Sequence, residues 1–364
     1  MTKEIERLRV GLIGATGRWG PSAHIPAIQH LPETELYAVC TAHEETARAA
    51  SEKYSVELFY HDDKMMNENP RIEAVSVAVR VPAHFELTKN AIESGKHVFC
   101  EWPLGANLKE AEALAFLARE RKVQTMVGLQ RRASPVYLKL QELVREGYVG
   151  EVLSVNLQQL GGGVLSRTSD RSWQKDAELG ANTLTIGFGH AIDAVCMIVG
   201  EIIEVSGLVK TQVPQWYETD TEQLVNVTSP DNIMMAGIVE SGAVVNANVG
   251  VHPYHGSGYK LEIYGRDGTL VLSSVGSGGL KILGGRQDDR ELHEIEIPDR
   301  LTWVPERVQN AGPAYEVGQM WASFAHSIRS GIPVEPGFDH AVRRHKLLDA
   351  IQQSSETGQR LKLG

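Results

Sequence analysis

Three glycines stand at every third position near the start of the chain, in the segment Gly14-Ala-Thr-Gly-Arg-Trp-Gly20. An apolar run, Val10 to Ile13, precedes this segment, and a helix-compatible stretch follows it. The order predicts a buried strand, a tight turn and a helix N-terminus, whose dipole and free N–H groups can hold a pyrophosphate. Dinucleotide-binding turns usually have the spacing G-x-G-x-x-G, so a glycine-rich turn without a ligand remains an alternative interpretation.

The residues after the second predicted strand bear on which dinucleotide would bind. NAD enzymes usually carry Asp or Glu at this place, where the carboxylate binds the ribose hydroxyl groups. Here Thr41 follows the strand, two carboxylates (Glu44 and Glu45) come next, and no arginine adjoins Thr41. We therefore expect NAD as the cofactor, while Arg18 in the glycine turn keeps NADP as an alternative.

Alternating strand and helix patterns in the first third of the chain would position this turn. Helical patterns separate the strands, and one of these helices is capped by Asn107 with Glu110 three residues later. Short alternating units predict a parallel sheet with right-handed crossovers. We therefore expect a doubly wound α/β domain of the Rossmann type over residues 1–129. Its predicted strands are Leu8–Ile13, Glu35–Cys40, Leu58–Tyr60, Ala74–Val79, His97–Cys100 and Thr125–Gly128.

The pattern changes period in the remaining two-thirds of the chain. Apolar and polar residues alternate around Val155, Ala247 and Leu261, which predicts a large, open, mostly antiparallel sheet with one apolar face. Two helical segments, Ala181–Val199 and Tyr315–Ser330, are expected to cover that face. We expect residues 130–364 to form an α+β domain for substrate binding and oligomerisation. The semi-polar outer face of the sheet predicts a homodimer or homotetramer, which a strictly monomeric species in sedimentation would contradict.

Composition narrows the class of protein further. The 364 residues are 42% apolar and 23% charged with a net charge of −10, values typical of a globular chain without a basic stripe for nucleic acid. No apolar run reaches the roughly 18 residues of a membrane helix, and the N-terminus lacks the apolar core of a signal peptide. Three cysteines without metal spacing indicate reduced thiols. We therefore expect a cytoplasmic protein that binds neither nucleic acid nor membranes.

Three further segments form a specific set: Val79-Arg-Val-Pro-Ala-His-Phe-Glu86, Glu93-Ser-Gly-Lys-His-Val-Phe-Cys-Glu-Trp-Pro-Leu104 and Gly187-Phe-Gly-His-Ala-Ile-Asp193. Together with the Gly265–Leu270 turn they resemble the Gfo/Idh/MocA oxidoreductases over nearly the whole chain. The resemblance implies a Rossmann domain followed by an open-sheet domain, and NAD(P)-dependent oxidation of sugars, inositols or related polyols. The glycine turn, the Glu-Trp-Pro motif and the Asn182–Ile186 segment most resemble the Gal80-like branch, which includes a non-catalytic transcriptional regulator.

Two departures from the family pattern affect the chemistry. The family signature Glu-Lys-Pro has a lysine that usually takes or gives the substrate proton, and Trp102 stands at that position here. The family also has an aspartate four residues before its histidine, where this chain has Ile186. Only His190 remains of the usual set of lysine, aspartate and histidine. Trp102 could form an apolar wall against a sugar ring, or only fill the space that the lysine left.

The cofactor-binding residues follow from the glycine turn, the strand ends and the resemblance, which assigns the nicotinamide ribose to Glu101. The full expected set is Gly14, Thr16, Gly17, Arg18, Trp19, Thr41, Val81, Pro82, His84, Glu101, Trp102 and Gln130.

His190 is the first candidate for the catalytic base, because a histidine with a pKa near 6.5 is suited to take a proton from a hydroxyl group. A hydrogen-bonded structural histidine is the alternative. Lys175 and Tyr254 could stand in for the missing lysine, with His252 and His255 as further candidates. These two histidines are three residues apart without a carboxylate beside them, so we expect no metal site.

Arginines after the sixth strand suggest what kind of substrate would bind. Arg131 and Arg132 could bind a carboxylate, phosphate or sulfonate, or could simply be solvated charges at a domain junction. The polar loop Arg167–Lys175 carries Trp173, and such loops commonly carry recognition. The expected substrate-binding residues are Trp102, Arg131, Arg132, Trp173, Asn182 and His190.

Three functions are compatible with this pattern. The first is an NAD(P)-dependent oxidoreductase that transfers hydride between nicotinamide and a carbon of a sugar or sugar derivative, without the usual lysine. The second is a redox-cycling glycosidase, in which transient oxidation permits elimination and the hydride is then returned. The third is a Gal80-like regulator that binds NAD and a protein partner without turnover.

Overall fold

The computed structural model describes residues 6–274 and 279–363. Its strands are β1 (Leu8–Ile13), β2 (Thr34–Cys40), β3 (Leu58–Tyr60), β4 (Ala74–Val77), β5 (His97–Glu101), β6 (Thr125–Gly128), β7 (Val152–Gly162), β8 (Ser166–Arg167), β9 (Ile202–Lys210), β10 (Gln215–Glu218), β11 (Gln223–Asn226), β12 (Asn232–Val239), β13 (Val244–His252), β14 (Gly258–Gly265), β15 (Gly268–Ser274), β16 (Leu280–Arg286), β17 (His293–Ile295) and β18 (Leu361–Lys362). Its α-helices are α1 (Ile25–His30), α2 (Glu44–Tyr54), α3 (Asp63–Glu68), α4 (His84–Glu93), α5 (Leu108–Arg121), α6 (Pro135–Arg145), α7 (Gly189–Val199), α8 (Glu306–Gln309), α9 (Ala314–Ser330) and α10 (Phe338–Thr357).

Contacts divide the chain into two compact units. The first comprises Met1–Ala133 and Thr302–Arg343, and the second comprises Ser134–Leu301 and Arg344–Gly364. The chain first passes from one unit to the other after Ala133, within a few residues of the predicted boundary at 129. The segment 302–343, which the sequence pattern assigned to the second domain, belongs to the first unit instead.

The first unit is a doubly wound sheet of six parallel strands in the order β3-β2-β1-β4-β5-β6. The order reverses between β1 and β4, and ligands of such sheets bind at the carboxyl ends of the strands beside this point. All four residues of β4 are buried, because helices cover both faces of a parallel sheet. The predicted Rossmann fold is confirmed, and Asn107 caps α5 as predicted by accepting a hydrogen bond from the Glu110 N–H.

Helix α9 covers the first sheet rather than the second. Its apolar residues, including Trp321 and Phe324, lie in one core with Leu12 of β1 and Ile28 of α1. The expectation that Tyr315–Ser330 covers the antiparallel sheet is therefore wrong. Helical spacing predicts an apolar face but not which of two apolar sheets receives it, and that depends on contacts between residues about 300 positions apart.

The second unit is built on a nine-stranded sheet in the order β17-β16-β15-β14-β7-β13-β12-β9-β18. The β7–β13 pair is parallel and the other neighbouring pairs are antiparallel, which agrees with the mostly antiparallel sheet that the alternating pattern predicts. The strands bury one face, with Val155, Ala247 and Leu261 each at most 1% exposed. The outer face exposes Leu208 and Met234. The homo-oligomer expected from this face stays a prediction.

A helical segment packs on the buried face of the second sheet. In the described part of the chain, one stretch, Ala177–Val199, has the length and the apolar composition of a membrane-spanning helix. However, 61% of its most apolar window is buried inside the protein, which is typical of a core helix. The segment starts with a 3-10 turn, Ala177–Leu179, which is followed by a π-helical stretch, Thr183–Phe188, and by α7.

Acid is expected to destabilise the second unit through His345 of α10. Burial lowers the pKa of this histidine from its ordinary 6.5 to about 4. The unfolded chain therefore takes up the proton first, so the stability that the neutral ring contributes is complete above pH 6.5 and is lost as the pH falls toward 4. This change amounts to about 3 kcal/mol of unfolding free energy.

Urea unfolding between pH 7 and pH 4 measures this effect. The variant His345→Gln should show a weaker loss of unfolding free energy over this range than the wild type. The exposed His61→Gln is the matched control. An equally steep pH dependence in His345→Gln would assign the acid sensitivity to other groups.

Candidate functional site

The glycine turn follows β1 at the carboxyl edge of the parallel sheet. Gly14 has a φ of +108°, and a Cβ there would lie 2.3 Å from the carbonyl oxygen of Ala78. A Cβ on Gly20 would lie 2.5 Å from the carbonyl oxygen of Gly14. Only glycine fits these two positions, because the turn passes close to the end of β4 and the following helix passes close to the turn.

The outer part of the turn is open to solvent. Thr16, Gly17, Arg18 and Trp19 are exposed, and a Cβ on Gly17 would meet no protein atom nearer than 3.5 Å. The fold therefore does not require glycine at position 17. A backbone cradle at the start of a helix, without side-chain bulk, fits the pyrophosphate of a dinucleotide.

Thr41 lies at the end of β2, as predicted, but its hydroxyl is occupied within the protein. Its Oγ1 lies 2.6 Å from Oγ1 of Thr46 and donates to the carbonyl oxygen of His43 at 3.0 Å. Glu44 pairs with Arg48 at 2.8 Å on the surface of α2. Contact of Thr41 with the cofactor stays a prediction.

His84 joins the loops that follow β4 and β5. Its Nδ1 lies 2.7 Å from the carbonyl oxygen of Pro103, and its Nε2 lies 3.1 Å from that of Val79. Burial holds the pKa of His84 below its ordinary value. This histidine, predicted to bind the cofactor, therefore lies inside the protein and holds the two loops together. In the first of these loops, Val81 is buried and Pro82 is exposed.

Trp102, in the position of the family lysine, is only 4% exposed. A ring with so little accessible surface favours packing as its main role, out of the two roles that the sequence left open. The peptide bond between Trp102 and Pro103 is cis.

Glu101 is the charged residue at the carboxyl end of β5, and it lies at the centre of a hydrogen-bond network. Its Oε1 lies 2.8 Å from Nε2 of His24, and its Oε2 accepts a hydrogen bond from Nε2 of Gln130 at 2.8 Å. The network continues from Nδ1 of His24 to the Trp321 indole at 3.1 Å and to the Ser76 hydroxyl at 2.9 Å.

Gly128 makes room for the Glu101 carboxylate. The two residues are register partners at the ends of β5 and β6, and a Cβ on Gly128 would lie 2.5 Å from Oε1 of Glu101. His24, Trp321 and Gly128 are not among the site residues that the sequence predicts. His24 lies on a predicted helix four residues after Gly20, which is a weak signal, and nothing local marks Trp321.

The residues after β6 form a short 3-10 helix, Gln130–Ala133. Gln130 is buried and points to Glu101, as its hydrogen bond shows. Arg131 and Arg132 are half-buried at the same end of the sheet. The structure thus brings the glycine turn, Glu101 and the Gln130 segment to one edge of the first unit.

In the second unit, His190 lies in the first turn of α7 and is half-buried. Asn182 caps the π-helical stretch before it, because its Oδ1 accepts from the N–H groups of Leu184 and Thr185 at 3.0 and 3.1 Å. The side-chain oxygen of Asn182 therefore accepts hydrogen bonds within the helix. π-helical turns occur often at functional sites.

Asp193, one turn after His190, has a structural partner. It is 1% exposed, and its Oδ1 lies 3.5 Å from Nε of the equally buried Arg344. Arg344 also donates to Sγ of Cys196 at 2.7 Å and to the Glu201 carboxylate. This ion pair ties α7 to α10.

The loop that carries Trp173 and Lys175 is anchored to the segment that connects β11 and β12. The carbonyl oxygen of Lys175 accepts from the N–H groups of Thr228 and Ser229 at 2.8 and 3.0 Å. The pKa of the Glu218 carboxyl is held below its ordinary value by hydrogen bonds from neighbouring hydroxyl groups and further by the Lys175 charge.

Arg167, which begins the same loop, stacks on an aromatic ring. Its guanidinium lies 4.2 Å from the centroid of Trp216. Burial, and then the charge of Arg171, lowers the pKa of Arg167 to about 10. Trp173 itself is half-buried.

Tyr254 is 76% exposed, on a loop that passes against the end of β7. A Cβ on Gly162 would lie 1.8 Å from the carbonyl oxygen of Tyr254, so the close approach of this loop requires glycine there. The catalytic roles of Tyr254, Lys175 and His190 stay predictions.

The cysteines do not offer reactive thiols. Cys40, Cys100 and Cys196 are buried and form no disulfide, and burial raises the pKa of Cys40 and of Cys100 to about 12. Within residues 6–274 and 279–363, no group of three or more His, Cys, Asp or Glu residues is arranged to hold a metal ion.

Known proteins share both halves of this arrangement. Residues 8–129 match the model of the oxidoreductase family with an NAD-binding Rossmann fold, and residues 135–274 match that of the Gal80p C-terminal domain. Dehydrogenase aclE of Aspergillus oryzae is 30% identical over 370 residues, which cover 97% of this chain and 98% of that protein. The galactose/lactose metabolism regulatory protein GAL80 of Kluyveromyces lactis is 28% identical over 257 residues, which cover 65% of this chain and 56% of that protein.

The solved structure of levoglucosan dehydrogenase in complex with NADH and levoglucosan has the same fold, with a TM-score of 0.86 at 22% identity over 99% of this chain and 100% of that one. These matches confirm the predicted resemblance and the predicted NAD-binding class. The chain belongs to the Gfo/Idh/MocA family of oxidoreductases and combines an NAD-binding Rossmann fold with a Gal80-type C-terminal domain.

Proposed function

We propose that this protein is an NAD-dependent dehydrogenase that oxidises a hydroxyl group of a sugar or a related polyol. The observation that carries the proposal is the Glu101 carboxylate, held beside the glycine turn at the carboxyl edge of the parallel sheet. In this topology the edge is where a dinucleotide and its substrate meet. Bound NAD supplies the acceptor for the two electrons and one hydrogen of the oxidation.

The chain's own residues would bind the cofactor and handle the proton. The bare backbone of Gly14 and Gly17 would receive the pyrophosphate, and Glu101 would accept hydrogen bonds from the nicotinamide ribose. His190 would take the proton of the reacting hydroxyl group, because a neutral imidazole is the side chain best matched to this step near pH 7. Lys175 and Tyr254 are the alternative proton acceptors.

Sugars are the proposed substrate class because levoglucosan dehydrogenase has the same fold over nearly its whole length. Trp173 would offer an aromatic face to the C–H groups of a sugar ring, and the Asn182 amide nitrogen a donor to its hydroxyl groups. Arg131 and Arg132 would select a substrate with an anionic group.

A Gal80-like regulator is the second candidate function. Trp102 at the lysine position and the Gal80-type domain over residues 135–274 favour it. Such a protein would bind NAD and a protein partner without oxidising a sugar. The two candidates share the cofactor and differ in turnover.

Absorbance at 340 nm, recorded with NAD⁺ and a panel of hexoses, anhydro sugars, inositols and sugar acids, tests the proposal. We expect NADH to form with at least one free sugar. The variant Gly17→Ala should fold normally but lose NADH binding and turnover, because its methyl group would approach protein atoms no closer than 3.5 Å yet would stand where the pyrophosphate is proposed to lie.

Two results would contradict the dehydrogenase. NADH binding without turnover across the panel would favour the regulator. Cleavage of an aryl glycoside without net NADH would favour the redox-cycling glycosidase.

A further inference from the structure

The hydrogen bonds around His24 determine which of its nitrogens carries the proton. The Trp321 indole nitrogen can only donate, so Nδ1 of His24, 3.1 Å away, must accept. The hydroxyl of Ser76 lies 2.9 Å from the same nitrogen. A neutral ring that accepts at Nδ1 has its proton on Nε2, and it donates this proton to Oε1 of Glu101 at 2.8 Å.

Glu101 is fixed from both sides by these contacts. A carboxylate only accepts hydrogen bonds and has about four lone-pair sites. His24 occupies one site on Oε1, and Gln130 occupies one on Oε2. The missing side chain at Gly128 leaves the room in which the carboxylate lies. The Glu101 side chain is 11% exposed, so the remaining sites can meet a ligand at the surface.

The support behind Glu101 is fully buried. His24 and Trp321 are both 0% exposed, and the Phe99 ring packs against each of them at centroid distances of 5.0 and 4.9 Å. Hydrogen bonds in such a dry environment are stronger than in water, and a group held in place before binding loses less entropy when the ligand arrives.

We propose that His24 and Trp321 are positioning residues that hold the Glu101 carboxylate ready for the hydroxyl groups of the nicotinamide ribose. This role rests on the proposed function, because it needs NAD at the glycine turn. Trp321 comes from α9, 297 residues after His24, so the return of this helix to the first unit completes the cofactor site. Neither residue touches the substrate, and their effect passes through Glu101.

Titration of the purified protein with NADH, followed by cofactor fluorescence, tests this role without turnover. His24→Phe keeps an aromatic ring but removes the donor, and it should weaken NADH binding roughly tenfold or more, the usual cost of a hydrogen bond to a charged group. His24→Gln places an amide nitrogen near the position of Nε2 and should retain affinity within about threefold of the wild type. Trp321→Phe should fall between these two variants.

Phe324→Leu is the packing control, because it alters the same aromatic cluster without removing a polar atom. It should lower the thermal midpoint but leave NADH affinity unchanged. In steady-state assays of NADH formation, His24→Phe should raise KM for NAD⁺ more than it lowers kcat.

Three results would overturn the positioning role alone: wild-type affinity in His24→Phe, equal losses in His24→Phe and His24→Gln, or an equal loss in Phe324→Leu. A wild-type protein that does not bind NADH would instead contradict the proposed function and this role together.

Discussion

Replacing His190 with glutamine is expected to lower kcat by about 10²- to 10⁴-fold, the usual contribution of a general base. Oxidation of a hydroxyl group releases a proton, and His190 is the first proposed acceptor for it. It lies half-buried in the first turn of α7. Steady-state NADH formation with saturating sugar, found by the panel above, measures the loss.

The comparison variants decide which residue takes the proton. His326→Gln changes an exposed histidine of α9 and should leave kcat unchanged. Lys175→Met and Tyr254→Phe remove the alternative acceptors, and each should lower kcat less than His190→Gln does. If His190→Gln retains kcat while one of these two loses it, the proton goes to that residue and His190 is structural.

Replacing Arg344 with methionine should lower the unfolding free energy of the second unit by about 3–5 kcal/mol. Arg344 and Asp193 are each 1% exposed, so the change removes the arginine from a carboxylate that has no access to solvent. It also removes the donors to Cys196 and Glu201. Breaking one partner of a buried pair costs far more than the pair contributes, because the remaining charge is left desolvated.

Arg343→Met is the matched control, one residue earlier on the same helix. Its side chain is 48% exposed and pairs with an exposed glutamate, so its loss should cost at most about 1 kcal/mol. Urea denaturation measures both variants. Adding Asp193→Asn to Arg344→Met should restore part of the loss, and a double variant as unstable as the sum of the singles would show that the two residues do not interact.

Local pattern was enough to predict the six strands of the parallel sheet. The apolar run ending at Ile13 and the glycines after it predict a buried strand and a tight turn, and β1 begins and ends where the sequence predicts. Strand β4 ends two residues earlier than predicted, at Val77. The carbonyl oxygen of Ala78 lies against Gly14 there, so the chain leaves the ladder to make room for the turn.

The support of Glu101 could not be predicted in the same way. The sequence marks Glu101 by its place after a strand, but the donors that fix its carboxylate come from the helix after the glycine turn, from the end of β6 and from α9. The pairing of His24 with Trp321 depends on α9 packing against α1, and helical spacing alone does not determine which sheet a helix covers. Because that helix was assigned to the wrong sheet, the contact between Trp321 and His24 behind Glu101 could not be predicted.

Trp102 illustrates how burial separates alternatives that residue type leaves open. An aromatic residue in place of the family lysine suits a sugar-binding wall and a packing residue equally well in the sequence. At 4% exposure the ring is already packed. With Trp102 packed inside the protein, the proposed proton acceptors remain His190, Lys175 and Tyr254.

The central claim is that hydrogen bound to a sugar carbon passes to NAD on this protein. The most direct measurement is mass spectrometry of the cofactor after the protein, in amounts stoichiometric with NAD⁺, has been mixed with the sugar panel deuterated at carbon. The dehydrogenase account predicts that the nicotinamide gains one deuterium from at least one sugar, and that the Gly17→Ala protein transfers none. Cofactor that stays unlabelled on a folded protein with proven NADH binding would contradict the account.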